Sequence, residues 1–134
     1  MIEIVIADHQ ELFRAVIVDV LSVVEDVRIA GRARSPEQLL SSLKKANPHV
    51  LVLSTNSLPV FPKIQRMIKR RETALLLLAE ESDLVDYMKW LRAHGIVYRS
   101  ADVPVLLDAM RRVTRGELFI QNPSSDIRHK KRQV

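Results

Sequence analysis

An α/β fold with a doubly wound, five-stranded parallel sheet is predicted for this 134-residue chain, on three observations. Short apolar runs at 2–7, 49–54 and 74–79 lack the polar–apolar alternation of half-exposed strands, so they read as strands buried on both faces. Between them lie segments with apolar residues at helical spacing, several opened by capping residues. The two kinds of segment alternate as five β-α units, which implies right-handed crossovers with helices on both faces of the sheet.

The elements follow in order. Ile2 to Ala7 is the first strand, apolar apart from Glu3. Asp8-His9-Gln10 is a polar break before a helix expected over Glu11 to Glu25. There Leu12, Val16, Val20 and Val23 share one face, with Phe13, Ile17 and Val24 beside them. Its β-branched content is high for a helix, so burial rather than propensity must hold it. Val27 to Arg32 is a weaker second strand. Ser35-Pro36-Glu37-Gln38 is a strong helix start: Ser35 can accept from the Gln38 amide, Gln38 can reach back, and proline suits the first helical position. This helix places Leu39, Leu40 and Leu43 inward and is stopped by Asn47-Pro48.

His49 to Ser54 is the central strand. A third helix is expected over Val60 to Arg70, with Pro62 in its first turn and Ile64, Met67 and Ile68 inward. Ala74 to Ala79 is a fourth strand. Ser82 caps a fourth helix expected to reach His94, with Gly95 as a left-handed stop. Ile96 to Tyr98 is a short fifth strand, and Asp102 caps a last helix over Val103 to Arg115, ended by Gly116. Leu118-Phe119-Ile120 is expected to pack back onto that helix. From Gln121 the apolar pattern gives way to Pro-Ser-Ser and charge. Residues 1–120 therefore read as one domain and 121–134 as a basic linker or tail.

Composition narrows the function. The chain is 47% hydrophobic and 28% charged, ordinary for a globular domain. It has no cysteine, which excludes disulfides, thiolate catalysis and cysteine-ligated zinc. Met1-Ile2-Glu3-Ile4 lacks the positive start of a signal peptide, and no apolar run approaches a membrane span. A cytoplasmic location is expected. The net charge is +5. Arg128, Lys130, Lys131 and Arg132 against Asp126 make the tail strongly basic, so the body is close to neutral. The tail could touch phosphates, but no recognition helix or aromatic platform accompanies it, and the basic groups of the third helix read as a solvated face.

Ligands of open α/β sheets sit at the carboxyl ends of the strands. Here those ends present Asp8 and His9, Ser54, Ala79-Glu80-Glu81, and Arg99-Ser100. Ser54, His9 and Asp8 are the residue types of a hydrolase triad. However, neighbours on one loop cannot easily place Asp8 behind the ring of His9, and no G-x-S-x-G elbow surrounds Ser54. A phosphate loop would need glycines, and Gly31, Gly95 and Gly116 form no such cluster. Metal ligation needs several converging oxygens or imidazoles, and only Asp8 and His9 are well placed. No enzyme, metal or cofactor is expected.

Three stretches carry a family resemblance. Ile-Ala-Asp-His-Gln-Glu-Leu-Phe-Arg (6–14), Asn-Pro-His-Val-Leu-Val-Leu-Ser (47–54), and Gly-Ile-Val-Tyr-Arg (95–99) with Arg-Gly-Glu-Leu-Phe-Ile (115–120) resemble a response-regulator receiver domain, of flavodoxin-like (βα)5 fold. Leu12-Phe13-Arg14 and Arg115-Gly116-Glu117 resemble the NarL/FixJ-type transcriptional subfamily. The resemblance covers residues 1 to about 120. It implies a pocket in which two acids after strand one and an aspartate after strand three hold Mg²⁺, and that last aspartate takes a phosphoryl group. A strand-four hydroxyl and a lysine after strand five read the phosphate, and an aromatic on strand five responds.

Carried over position by position, this chain keeps Asp8 but has His9 for the second acid and Ser54 for the phosphoacceptor. Ala79 replaces the hydroxyl, Ile96 the aromatic and Arg99 the lysine, and Pro59 falls one residue later than the family's loop proline. An acyl phosphate requires a carboxylate nucleophile, and Mg²⁺ prefers oxygen ligands. Five substitutions across one pocket imply a degenerate, phosphorylation-independent pseudo-receiver. Arg99 is expected either to pair with Asp8, since its planar fork suits a carboxylate, or to extend into solvent. His9 reads as a solvated histidine, with pH sensing as the alternative.

Trp90, with Tyr87 and Tyr98, marks a candidate interface, and the wide apolar arc of the first helix is a second. A homodimer or a signalling-protein partner is expected, with DNA contacted only through a helix-turn-helix domain outside this chain. The alternative function is a stand-alone adaptor that binds a partner protein or a small ligand.

Overall fold

The computed structural model describes residues 1–54, 62–79 and 93–121. Among these, six strands form one parallel sheet: β1 (Ile2–Ala7), β2 (Val27–Ala33), β3 (Val50–Ser54), β4 (Ala74–Ala79), β5 (Gly95–Tyr98) and β6 (Phe119–Ile120). Four helices accompany them: α1 (Glu11–Leu21), α2 (Pro36–Lys45), α3 (Pro62–Arg70) and α4 (Val103–Thr114). The strand order is β2-β1-β3-β4-β5-β6. The chain thus winds outward from β1 in one direction and then returns to build from β3 in the other, which opens a crevice at the carboxyl ends of β1 and β3.

The strand sequences account for the burial. Every residue of β3 and of β4 is buried, as expected for a sheet covered on both sides. Alternate residues serve opposite layers. Leu51, Leu53, Leu75, Leu77 and Ile96 pack with Leu39 and Leu43 of α2 and Ile64 and Ile68 of α3. Val50, Val52, Leu76, Leu78 and Val97 pack with Leu21 of α1 and with Leu106, Ala109, Met110 and Val113 of α4. Fully burying each such side chain contributes about 1.5–3 kcal/mol.

Local signals worked unevenly. Ser35 caps α2 by accepting the Gln38 amide at 3.2 Å, while Gln38 reaches back to the Arg34 amide at 2.9 Å rather than to Ser35 itself. The far end of α2 is closed by Arg71, whose guanidinium donates to the carbonyls of Leu43 and Ala46. Asp102 stands at the N-cap of α4 without a side-chain capping bond.

Four expectations need correction. The sheet has six strands, not five. Gly116, at φ +85°, turns the chain back so that Phe119–Ile120 lies beside β5, whose outer backbone groups would otherwise lack partners. Phe119 also packs against the α4 layer, so the segment does both jobs. Second, Gly95 is no left-handed stop, since Gly116 is the only described glycine with positive φ. Gly95 opens β5, where a Cβ would lie 2.8 Å from Leu76 Cδ1 and 3.0 Å from Val113 Cγ1.

Third, α1 ends at Leu21, short of Glu25, and its core face is Phe13, Ile17 and Leu21; Leu12, Val16 and Val23 are exposed. Fourth, Tyr98 is only 3% exposed and packs with Ile96 in the core, because strand alternation puts both on the same face. Its side chain is therefore not exposed on the surface of the single chain. Of the expected fourth helix, the described residues include only Ala93 and His94, neither of them helical. Trp90, Tyr87, Pro59 and the tail lie outside the described residues.

Two outcomes follow from this packing. Gly95→Ala is expected to lower stability by about 1–3 kcal/mol through overpacking, measured by urea unfolding. The second concerns Asp26, in the turn before β2, which receives two bonds of 2.9 Å from Arg111 of α4. Those bonds hold its carboxyl below the ordinary 3.8. A lowered carboxyl stabilises the fold above its unfolded value, and the contribution is lost as pH falls through the folded value. Arg111→Gln should therefore flatten the loss of stability below about pH 4 and leave its shape near neutrality unchanged, as read from melting temperature against pH.

Candidate functional site

Asp8 leaves the end of β1 at the crevice between β1 and β3, and it is fully buried. Its backbone amide continues the ladder to the Ala33 carbonyl at 3.0 Å, which fixes where the carboxylate points. A buried carboxylate is costly unless it is paired and hydrogen-bonded. Oδ1 accepts the Gln10 amide at 2.7 Å, a local turn of the kind aspartate favours. Oδ2 accepts both the Ser54 hydroxyl and the Arg99 guanidinium, the latter at 2.5 Å.

Arg99 follows β5, with β4 and β3 standing between its strand and β1. Its amide donates to the Ala79 carbonyl at 3.1 Å. Its side chain is 10% exposed. Beyond Asp8, one nitrogen donates to Ser54 Oγ at 3.0 Å and the other to Gln10 Oε1. The guanidinium also lies over the Phe13 ring, 3.9 Å from its centroid, a close cation–π contact. Of the two readings open for Arg99, the structure takes the ion pair. One arginine thereby joins β1, β3, β5 and the first turn of α1.

Ser54 is fully buried at the end of β3. Its hydroxyl gives its proton to Asp8 and takes one from Arg99, so it bridges the pair. His9 stands apart: its Nδ1 is 3.9 Å from Asp8 Oδ1 and its side chain is 49% exposed. Ala79 is buried at the end of β4 and contributes its backbone carbonyl. Ile96 is not part of the cluster. It lies within β5 opposite Leu77, in the core.

Two participants escaped the sequence reading. Gln10 and Phe13 lie inside the quoted stretch 6–14, yet within it the pocket reading extends only to Asp8 and His9. The usable signal was spacing: a residue two after an aspartate often closes its turn, and Phe13 lies one helical turn beyond Gln10. Arg14 also donates, to the Asp8 backbone carbonyl at 2.5 Å. Among the described residues, no three histidine, aspartate or glutamate side chains gather as a metal site would require. The Asp8 carboxylate already faces a cation, so this donor set does not fit Mg²⁺, which wants several oxygens at once.

A parallel sheet in this order, covered on both faces, is the flavodoxin-like doubly wound fold, which the receiver domains of response regulators also have. Among solved structures, the chain is similar to the non-phosphorylated receiver domain of the stress response regulator RcsB from Escherichia coli. That match has a TM-score of 0.74 at 20% identity and covers 90% of this chain and 98% of that one. It is also similar to RcsB in a structure of two RcsB dimers bound to two parallel DNAs, with TM-score 0.77, 20% identity, and coverage of 93% of this chain and 66% of that one. A third is a complex of the P1 domain of CheA3 with CheY6 from R. sphaeroides, with TM-score 0.71, 18% identity, and coverage of 82% and 94%. No family model and no curated protein matches the sequence. At these identities the likeness establishes the fold. The chain spans an isolated receiver domain almost entirely and about two thirds of the longer RcsB chain.

Removing the cation should expose the cost of the buried carboxylate. Arg99→Met is expected to destabilise the fold by about 3–5 kcal/mol, and Asp8→Asn in the same chain should recover part of that loss. Ser54→Ala should cost about 1–3 kcal/mol, since Asp8 keeps its other donors. Chemical unfolding of the parent, Arg99→Met, Asp8→Asn and the double variant as a double-mutant cycle measures the coupling between Asp8 and Arg99.

Proposed function

We propose that this chain is a phosphorylation-independent receiver module that regulates through protein contacts, either with a second copy of itself or with a signalling partner. The observation that carries this is the Arg99 guanidinium seated on Asp8 Oδ2. In the family that the sequence resembles, the corresponding carboxylate serves Mg²⁺. An arginine fixed there supplies the positive charge permanently, so the pocket holds one arrangement with no metal or phosphoryl group to switch it. Ser54 supports the same reading: it is a hydroxyl where that chemistry needs a carboxylate, and its proton is committed to Asp8.

What remains available for signalling is the surface. The RcsB structure in which dimers bind DNA supports a role in a transcriptional regulator. Any DNA contact by this protein would then be made by a helix-turn-helix domain outside these residues. No described helix is long and apolar enough to cross a membrane.

The reading is tested by incubating the chain with acetyl phosphate and Mg²⁺ and measuring intact mass. The mass should stay unchanged, and Ser54→Ala should behave identically. A stable gain of one phosphoryl group that disappears in Ser54→Ala would contradict the proposal.

A further inference from the structure

The outer face of α3 carries charge of one sign. Lys63, Arg66 and Arg70 fall within about 60° of one another at about 100° per residue, on the side opposite the buried Ile64 and Ile68. All three are exposed, as is Lys69 beside them, and the helix contains no acid. Arg71, directly after α3, donates to the Leu43 and Ala46 carbonyls at the end of α2. It thereby sets the last turns of the two helices side by side, which adds the exposed Lys44 and Lys45. None of these six cations forms an ion pair among the described residues. The acids of the two helices and of the turns that follow them are Glu37 and Glu72. Glu37 stands at the opposite end of α2 and Glu72 just beyond Arg71, and neither is ion-paired among the described residues.

Helix dipoles account for part of this charge. Cations in a last turn complement the negative end of the helix, and Lys44, Lys45, Lys69 and Arg70 stand there. They do not account for Lys63, which meets the positive end in the first turn, or for Arg66, one turn from both Lys63 and Arg70. Like charges at those spacings cost helix stability. A row that repels itself and has no internal partner is satisfied by an anion from outside the chain. The large exposed apolar side chains are Met1, Leu12, Val16, Val23, Leu118 and Ile120, none of them on α2 or α3. A folded partner normally docks around an apolar, desolvated centre, which this face lacks, and a second copy using the same face would set like charges together. Duplex or single-stranded nucleic acid fits less well: neither helix has an aromatic for stacking, and the body is close to neutral, so long-range attraction is small. An acidic stretch without a fixed fold needs only the cations.

We infer that the outer face of α3, with the end of α2 beside it, docks an acidic, unstructured segment of a partner protein, its carboxylates on Lys63, Arg66 and Arg70. This names a partner for the contact role proposed above and rests on that role. It does not involve the pocket, so the phosphoryl-transfer measurement and the titration below fail independently.

The test titrates a short glutamate–glycine peptide, a lysine–glycine peptide and a random-sequence DNA duplex into the isotope-labelled chain, followed by amide chemical shifts and calorimetry. The glutamate peptide should bind with shifts concentrated on 63–70 and 44–45, and its binding should weaken as salt rises. The lysine peptide should not bind there. Arg66→Glu with Arg70→Glu should weaken the glutamate peptide at least about tenfold. The melting temperature should be unchanged or higher, since both residues are exposed and the change removes like-charge pairs. Tighter binding of DNA than of the glutamate peptide on this face would overturn the inference and assign the face to nucleic acid. Shifts centred on the basic tail 128–132, binding unaffected by the double variant, or no binding at all would also overturn it. So would salt-sensitive self-association in sedimentation that the double variant abolishes, which would assign the face to a second copy.

Discussion

A carboxylate with no exposure must have its charge answered, and the arrangement around Asp8 follows from that requirement. Its two oxygens take a backbone amide, a serine hydroxyl and an arginine, which together leave little of the desolvation cost uncompensated. Arg99 answers the charge while also touching Ser54, Gln10 and Phe13. Removing any one contact leaves the others in place, whereas removing the guanidinium strands the carboxylate. The pair therefore governs both the stability of the carboxyl edge and what that edge can bind.

The fold makes this pairing reachable. Strand order reverses between β1 and β3, so Asp8 and Ser54 meet at the crevice where ligands of such sheets ordinarily bind. Arg99 lies beyond β4, and the residue ending that strand is Ala79, whose backbone carbonyl accepts the Arg99 amide. The Arg99 side chain ties α1 to the sheet through Gln10 and Phe13.

Much of the architecture was legible in the chain itself. Unbroken apolar runs such as Leu75 to Leu78 identify doubly covered strands, and Ser35-Pro36 marks a helix start by its own chemistry. What escaped depended on partners distant in sequence. Periodicity showed that α1 has a wide apolar arc but could not say which half faces the sheet; tertiary packing chose Phe13, Ile17 and Leu21. β6 is too short to be read locally and exists because β5 offers an open edge beside it. Gly95 reads equally well as a helix stop or a packing glycine until Leu76 and Val113 are seen against it. At the site, Asp8, Ser54 and Arg99 were found because each lies at a strand end. Gln10 and Phe13 were missed because their roles arise only once Arg99 crosses the sheet.

We propose that Arg99 permanently supplies the positive charge that a metal ion would otherwise bring to Asp8. A crystal structure determined in the presence of Mg²⁺ and the phosphomimetic BeF₃⁻ tests it most directly. The account predicts Arg99 still bonded to Asp8 and Ser54, with neither ion at the β1/β3 carboxyl edge. A metal ion on Asp8, with the guanidinium displaced toward solvent, would contradict it.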